Sequence, residues 1–118
     1  MLNRRNLRIH IWVFLAPFAK ALPLLQKAAN AGNTEAMYNL GYLYELGQGV
    51  AQDFGKAYEW YQKAANAGNT HAMLRLGDLY GHGKGGAQDY GKAREWYQKA
   101  ANAGDTDAKK ALENLPSQ

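Results

Sequence analysis

Asp78 and His82 stand four residues apart, so on a helix a carboxylate and an imidazole would share one face, one turn from each other. Such a pair offers two ligands toward a metal, or an acid and a base toward hydrolysis. Two ligands fall short of a metal site. His71 lies near the opposite end of the same predicted helix, and His10 is remote in the chain. There is no cysteine, which excludes a disulfide scaffold, a thiolate zinc site and a cysteine nucleophile. The sole serine, Ser117, sits in the tail, where no Ser-His-Asp arrangement can be built around it. The run Gly81-His82-Gly83-Lys84-Gly85-Gly86 joins glycine to lysine. A phosphate-cradling loop needs Gly-x-x-x-x-Gly-Lys-Ser/Thr between a strand and a helix, whereas here both flanks read as helix and no Ser or Thr follows. The run reads instead as a turn in which glycine allows positive φ. The sequence thus predicts no enzyme, no cofactor and no metal. A weak hydrolase acting through Asp78 and His82 is the reading with least behind it.

The elements that hold these residues follow from a repeat. The run Lys20 to Gly55 is followed in register by Lys56 to Gly91, and a third, incomplete copy runs from Lys92 to Leu115. The first two copies agree at 23 of 36 positions, a level that marks a helical solenoid rather than chance similarity. Each unit carries two helical patterns. In one, Asp53 caps a run from Phe54 to Ala67 whose Ala57, Trp60, Tyr61, Ala64 and Ala65 recur at spacings of three and four, closed by Gly68. In the other, Thr70 caps a run to Tyr80 with Ala72, Met73, Leu76, Gly77, Leu79 and Tyr80 inward. We call the Thr-initiated helix A and the Asp-initiated helix B. Gly41 and Gly77 fall mid-helix, where glycine costs about 1 kcal/mol against alanine. They predict a neighbouring helix passing close by. Tyr44, Trp60, Tyr61 and Tyr80 are expected to fill the wider gaps of the core.

With 118 residues and 47% hydrophobic composition, the chain makes one domain with a core. Its net charge of +4 and pI near 9.3 invite a nucleic-acid reading, but Arg4, Arg5 and Arg8 supply three of the four excess charges, and no acid precedes residue 18. The rest is near neutral with interspersed signs and offers no basic stripe, so no nucleic-acid partner is expected.

The segments Ala36-Met37-Tyr38-Asn39-Leu40-Gly41-Tyr42-Leu43-Tyr44, Gly47-Gln48-Gly49-Val50 and Asp53 through Ala65 resemble the Sel1-like repeat family, relatives of the tetratricopeptide repeat. The likeness covers residues 18 to about 115. Copy two departs at Gly86, where copy one has Val50, and copy one departs at Leu22-Pro23-Leu24-Leu25, which lacks the Trp-Tyr pair. The resemblance implies an all-α, right-handed superhelical solenoid of antiparallel helix pairs, here about two and a half repeats, with a protein-binding, adaptor or scaffold role. Cysteine-rich relatives linked to β-lactam binding are no guide, since their cysteines are missing.

The two copies differ mostly along helix A. His71, Arg75, Asp78 and His82 step by four, three and four, and Glu35, Asn39, Tyr42 and Leu46 form the same stripe one copy earlier. Asp107, Ala111 and Asn114 continue it in copy three. Helix A lines the concave surface in solenoids of this type, so a protein or peptide partner is expected there. The candidate contacts are Glu35, Tyr38, Asn39, Tyr42, His71, Leu74, Arg75, Asp78 and His82. Tyr38 and Tyr42, read as exposed tyrosines one turn apart, weigh toward binding over idle drift.

The ends differ from the middle. Met73, Leu74 and Gly77 become Lys109, Lys110 and Glu113 in the last copy, which reads as a solvent-facing cap ahead of a tail over 116–118. Residues 1–17 break the repeat with three arginines and most of an apolar stretch over 11–19. They admit a secretory signal or anchor remnant, a period-two strand, an apolar cover for the first helix, or an irregular gene start. Export follows if residues 1–21 act as a signal, and a cytoplasmic location otherwise. Membrane contact follows only from a retained anchor. Ile11, Trp12 and Phe14 are the candidate contacts of a homo-oligomer, and self-assembly through residues 5–18 is the alternative to an adaptor.

Overall fold

The computed structural model describes residues 21–116, so the signal, anchor, strand and cover readings of the N-terminal segment, and contacts through Ile11, Trp12 and Phe14, lie outside the described residues. Runs of apolar side chains at three- and four-residue spacing form helices α1 over 21–30, α2 Thr34–Leu46, α3 Phe54–Asn66, α4 Thr70–His82, α5 Tyr90–Asn102 and α6 Thr106–Asn114. Helices α2, α4 and α6 are the A helices, and α1, α3 and α5 the B helices. There is no strand among the described residues, and no helix among them is long and apolar enough to cross a membrane.

The starts of α2 to α6 are each fixed by one side-chain oxygen. Asp53 Oδ1 accepts from the Lys56 N–H at 3.0 Å, the cap the sequence predicts. Thr70 is not a cap. Asn69 has the extended backbone of that position, φ −75° and ψ 111°, and its Oδ1 accepts from the Ala72 N–H at 2.9 Å. Asparagine satisfies the free N–H one residue earlier, which carries Thr70 into the first turn. Asn33 does the same for α2. Gly68 follows α3 at φ 97°, the left-handed position expected of it.

Helices pack mainly on their neighbours in sequence, α2 on α3, α3 on α4, α4 on α5 and α5 on α6. Tyr61, Leu40, Leu76 and Leu79 are the largest fully buried side chains. The A–B pairing within a repeat is tied by the backbone, Asp53 N–H to Tyr44 O and Asp89 N–H to Tyr80 O, each at 2.9 Å. The mid-helix glycines do sit at close approaches, but what approaches is a ring rather than a helix backbone. A Cβ on Gly41 would lie 2.6 Å from Cδ1 of Tyr61, and one on Gly77 would lie 2.5 Å from Cδ1 of Tyr97. Tyr61 therefore occupies a close contact between helices, not a wide gap. Beyond it, Lys109, Lys110 and Glu113 of α6 are exposed, as a solvent-facing helix requires.

Candidate functional site

The A helices share one outward face. On α2, Glu35 and Asn39 are exposed, and on α4 His71 and His82 are. Tyr38, Tyr42, Leu74, Arg75 and Asp78 are half-buried, so the two tyrosines are not the free surface rings the sequence suggests. The reason is the meeting of successive A helices across the B helix between them. The Tyr38 ring lies 5.7 Å from the Tyr61 ring and 6.0 Å from the His71 ring, and it stacks on Tyr42 at 6.3 Å. The Arg75 guanidinium lies over the Tyr42 ring at 5.2 Å, a cation–π contact. Leu74 turns toward Ala100, Ala101 and Ala108 and joins the packing under α5 and α6.

Beneath this face two buried tyrosines reach acidic partners. Tyr61 OH donates to Glu45 Oε1 at 2.7 Å, and Tyr97 OH donates to Asp78 Oδ1. The tyrosines hold equivalent places in their repeats, while the acids do not. Glu45 aligns with Gly81 and Asp78 with Tyr42. The carboxylate has moved one helical turn between repeats and still meets the same hydroxyl. Glu45 and Tyr97 are the residues at this face that reading the sequence misses. Their signal was the pair of opposed differences, an acid lost at 81 and an acid gained at 78.

Burial first, then the bond to Glu45, raises the Tyr61 hydroxyl far above its ordinary value, and burial with the bond to Asp78 does the same for Tyr97. Burial opposes the charge on Arg75, but Tyr38 and Glu45 beside it outweigh that and raise its pKa. Both tyrosines stabilise the fold in their neutral form. That stability is complete below the unfolded value near 10 and is lost as pH climbs toward the raised values. Each raised tyrosine steepens the loss by about 1.4 kcal/mol per pH unit. Urea midpoints are expected to hold up to about pH 9.5 and then fall, and a Tyr61→Phe/Tyr97→Phe variant to fall much less steeply.

Asp78 and His82 each have another partner. The carboxylate takes the Tyr97 hydroxyl, and His82 Nδ1 lies 2.9 Å from the Asp78 backbone oxygen. No group of three His, Asp or Glu among the described residues could hold an ion. The glycine-rich loop is a turn, with Gly83 at φ 66° and Gly85 at φ 72°, and its Lys84 carbonyl accepts from Tyr58 OH at 2.9 Å. A cleft of about 380 Å³ opens beside Asp78 and His82, floored by Tyr97 and bounded by Ala111 and Asn114 of α6.

Residues 18–33, 34–69 and 70–105 each match the family model described as Sel1 repeat. No curated protein matches the chain. Among solved structures, the chain is similar to a Sel1 repeat protein from Oxalobacter formigenes (36% identity, TM-score 0.75), covering 80% of this chain and 39% of that one. It is similar also to a protective antigen of uropathogenic Escherichia coli strains with an SLR fold (38%, TM-score 0.76), covering 80% of this chain and 20% of that one. A third is the cysteine rich protein B of Helicobacter pylori (31%, TM-score 0.74), with 79% of this chain and 70% of that one covered. The chain thus spans well under half the length of the first two.

Proposed function

Since this chain belongs to the Sel1 repeat family, whose members generally mediate protein–protein interactions and are typically non-catalytic, we propose that it is an adaptor module that holds a peptide or helix of a partner protein. The partner lies along the outward face of α2, α4 and α6. One observation carries this reading. Side chains on that face change between repeats whose framework is otherwise the same, Glu35 and Asn39 on α2 against His71 and Arg75 on α4, and the Tyr38 ring beside His71 joins the two helices. The half-buried Tyr38, Tyr42 and Arg75 give the stripe a rigid centre, since their rings and guanidinium are already stacked before any partner arrives. Preorganised aromatic and arginine side chains are what protein interfaces favour as anchors. Leu74 and Asp78 contribute from below, by packing and by the bond to Tyr97.

The test is retention of a partner from native lysate on immobilised wild type beside a Glu35→Lys/Asn39→Arg/His71→Glu variant. All three positions are exposed, so the helical circular dichroism spectrum is expected to be unchanged. A protein held by wild type and released by the folded variant is the expected result. Equal retention by both overturns the reading.

A further inference from the structure

The two repeats build the same walls around different contents. In the first, Gln52 Nε2 donates to the Glu45 carbonyl at 2.8 Å, and in the second Gln88 Nε2 donates to the Gly81 carbonyl at 2.7 Å. Tyr61 and Tyr97 form equivalent floors. Into the first space the chain puts its own cation. Arg75 comes across from the next A helix and lies over Tyr42, with Glu45 close by. The offset that sets Arg75 opposite Tyr42 sets Ala111 opposite Asp78. Alanine reaches nowhere, and the side chain of Glu45 has no counterpart at Gly81. What remains is the cleft of about 380 Å³ lined by Asp78, His82, Tyr90, Tyr97, Ala111 and Asn114. Its volume is at the lower end of those that hold ligands.

We propose that this cleft receives an arginine side chain of the partner protein, taking the place that Arg75 fills from within in the preceding repeat. Asp78 supplies the charge. One of its oxygens is committed to Tyr97, and a carboxylate accepts several hydrogen bonds, so the other is available to a guanidinium. The Asn114 amide oxygen can accept a further N–H, and the ring of the half-buried Tyr90 offers flat surface to a planar cation. Arg94 does not compete for Asp78, since it donates to the Pro116 carbonyl at 3.0 Å and does not line the cleft.

The proposal rests on the outward face being the partner face, and its test reads the cleft alone. The uniformly ¹⁵N-labelled full chain is titrated with acetyl-Gly-Arg-Gly-amide, and with the glutamine peptide of the same length, while amide shifts are followed. The expected result is saturable shifts confined to residues around 78–82, 97 and 111–114 with the arginine peptide, and affinity about ten-fold weaker with glutamine. Asp78→Asn keeps an acceptor for Tyr97 and is expected to weaken arginine binding by about ten-fold as well. Ala111→Arg refills the cleft in the manner of the first repeat and is expected to abolish it. Equal response to both peptides, shifts elsewhere on the chain, or no saturable response up to the peptide's solubility overturns the proposal. So does undiminished binding by the Asp78→Asn variant, which decides the matter if Ala111→Arg fails to fold. Retention by the Glu35/Asn39/His71 variant reports on the face as a whole, so failure of the cleft and failure of the face are told apart.

Discussion

Tyr61→Ala is expected to lower the unfolding free energy by about 4 kcal/mol, read as a fall in the urea midpoint. Tyr61 is fully buried, and its ring lies against the bare backbone of Gly41 on one side and the Tyr38 ring on another. Removing it opens a cavity between α2 and α3 that glycine cannot fill. It also strips Glu45 of its donor in a half-buried setting. Tyr61→Phe separates the two effects. It keeps the ring and loses one hydrogen bond to a charged acceptor, so about 1–2 kcal/mol is expected. Equal losses from the two variants would show that the hydroxyl, not the ring, holds the pair of helices together.

Gly77→Ala is expected to destabilise by about 2 kcal/mol, although alanine is the better helix former by about 1 kcal/mol. The sign decides the matter. A Cβ at position 77 would stand 2.5 Å from Cδ1 and Cε1 of Tyr97, so the ring must move, and its bond to Asp78 moves with it. Gly86→Ala is the control, since nothing lies within 4 Å of a Cβ there, and it is expected to be close to neutral. Combining Gly77→Ala with Tyr97→Ala should abolish the clash, so the two changes together should cost less than the sum of each alone. A stabilising Gly77→Ala would mean that the ring does not lie where the glycine makes room for it.

Much of this architecture is legible in the residues. The repeat, the inward spacing of Ala57, Tyr61, Ala64 and Ala65, and the Asp53 cap are local patterns, and local patterns survive folding. What the sequence hides depends on the offset between one repeat and the next. Tyr38 looks exposed within its own helix and is half-buried because His71 and Tyr61 come to it from α4 and α3. Asp78 looks like an exposed polar neighbour of His82, yet it is half-buried and takes the hydroxyl of Tyr97, nineteen residues on. Gly41 announces a close neighbour without saying that it is an aromatic ring. The helix period places side chains on a face. Only the packing of successive pairs says what that face meets. The same holds for the Asn69 cap, where two polar residues stand side by side and backbone geometry picks the first.

Because each helix leans chiefly on the one before it and the one after, load applied to the two ends has no closing strand among the described residues to break first. It is met at one boundary after another. A molecule of this kind lengthens in increments of a helix pair and recoils through the same increments, in the manner of a spring rather than a latch.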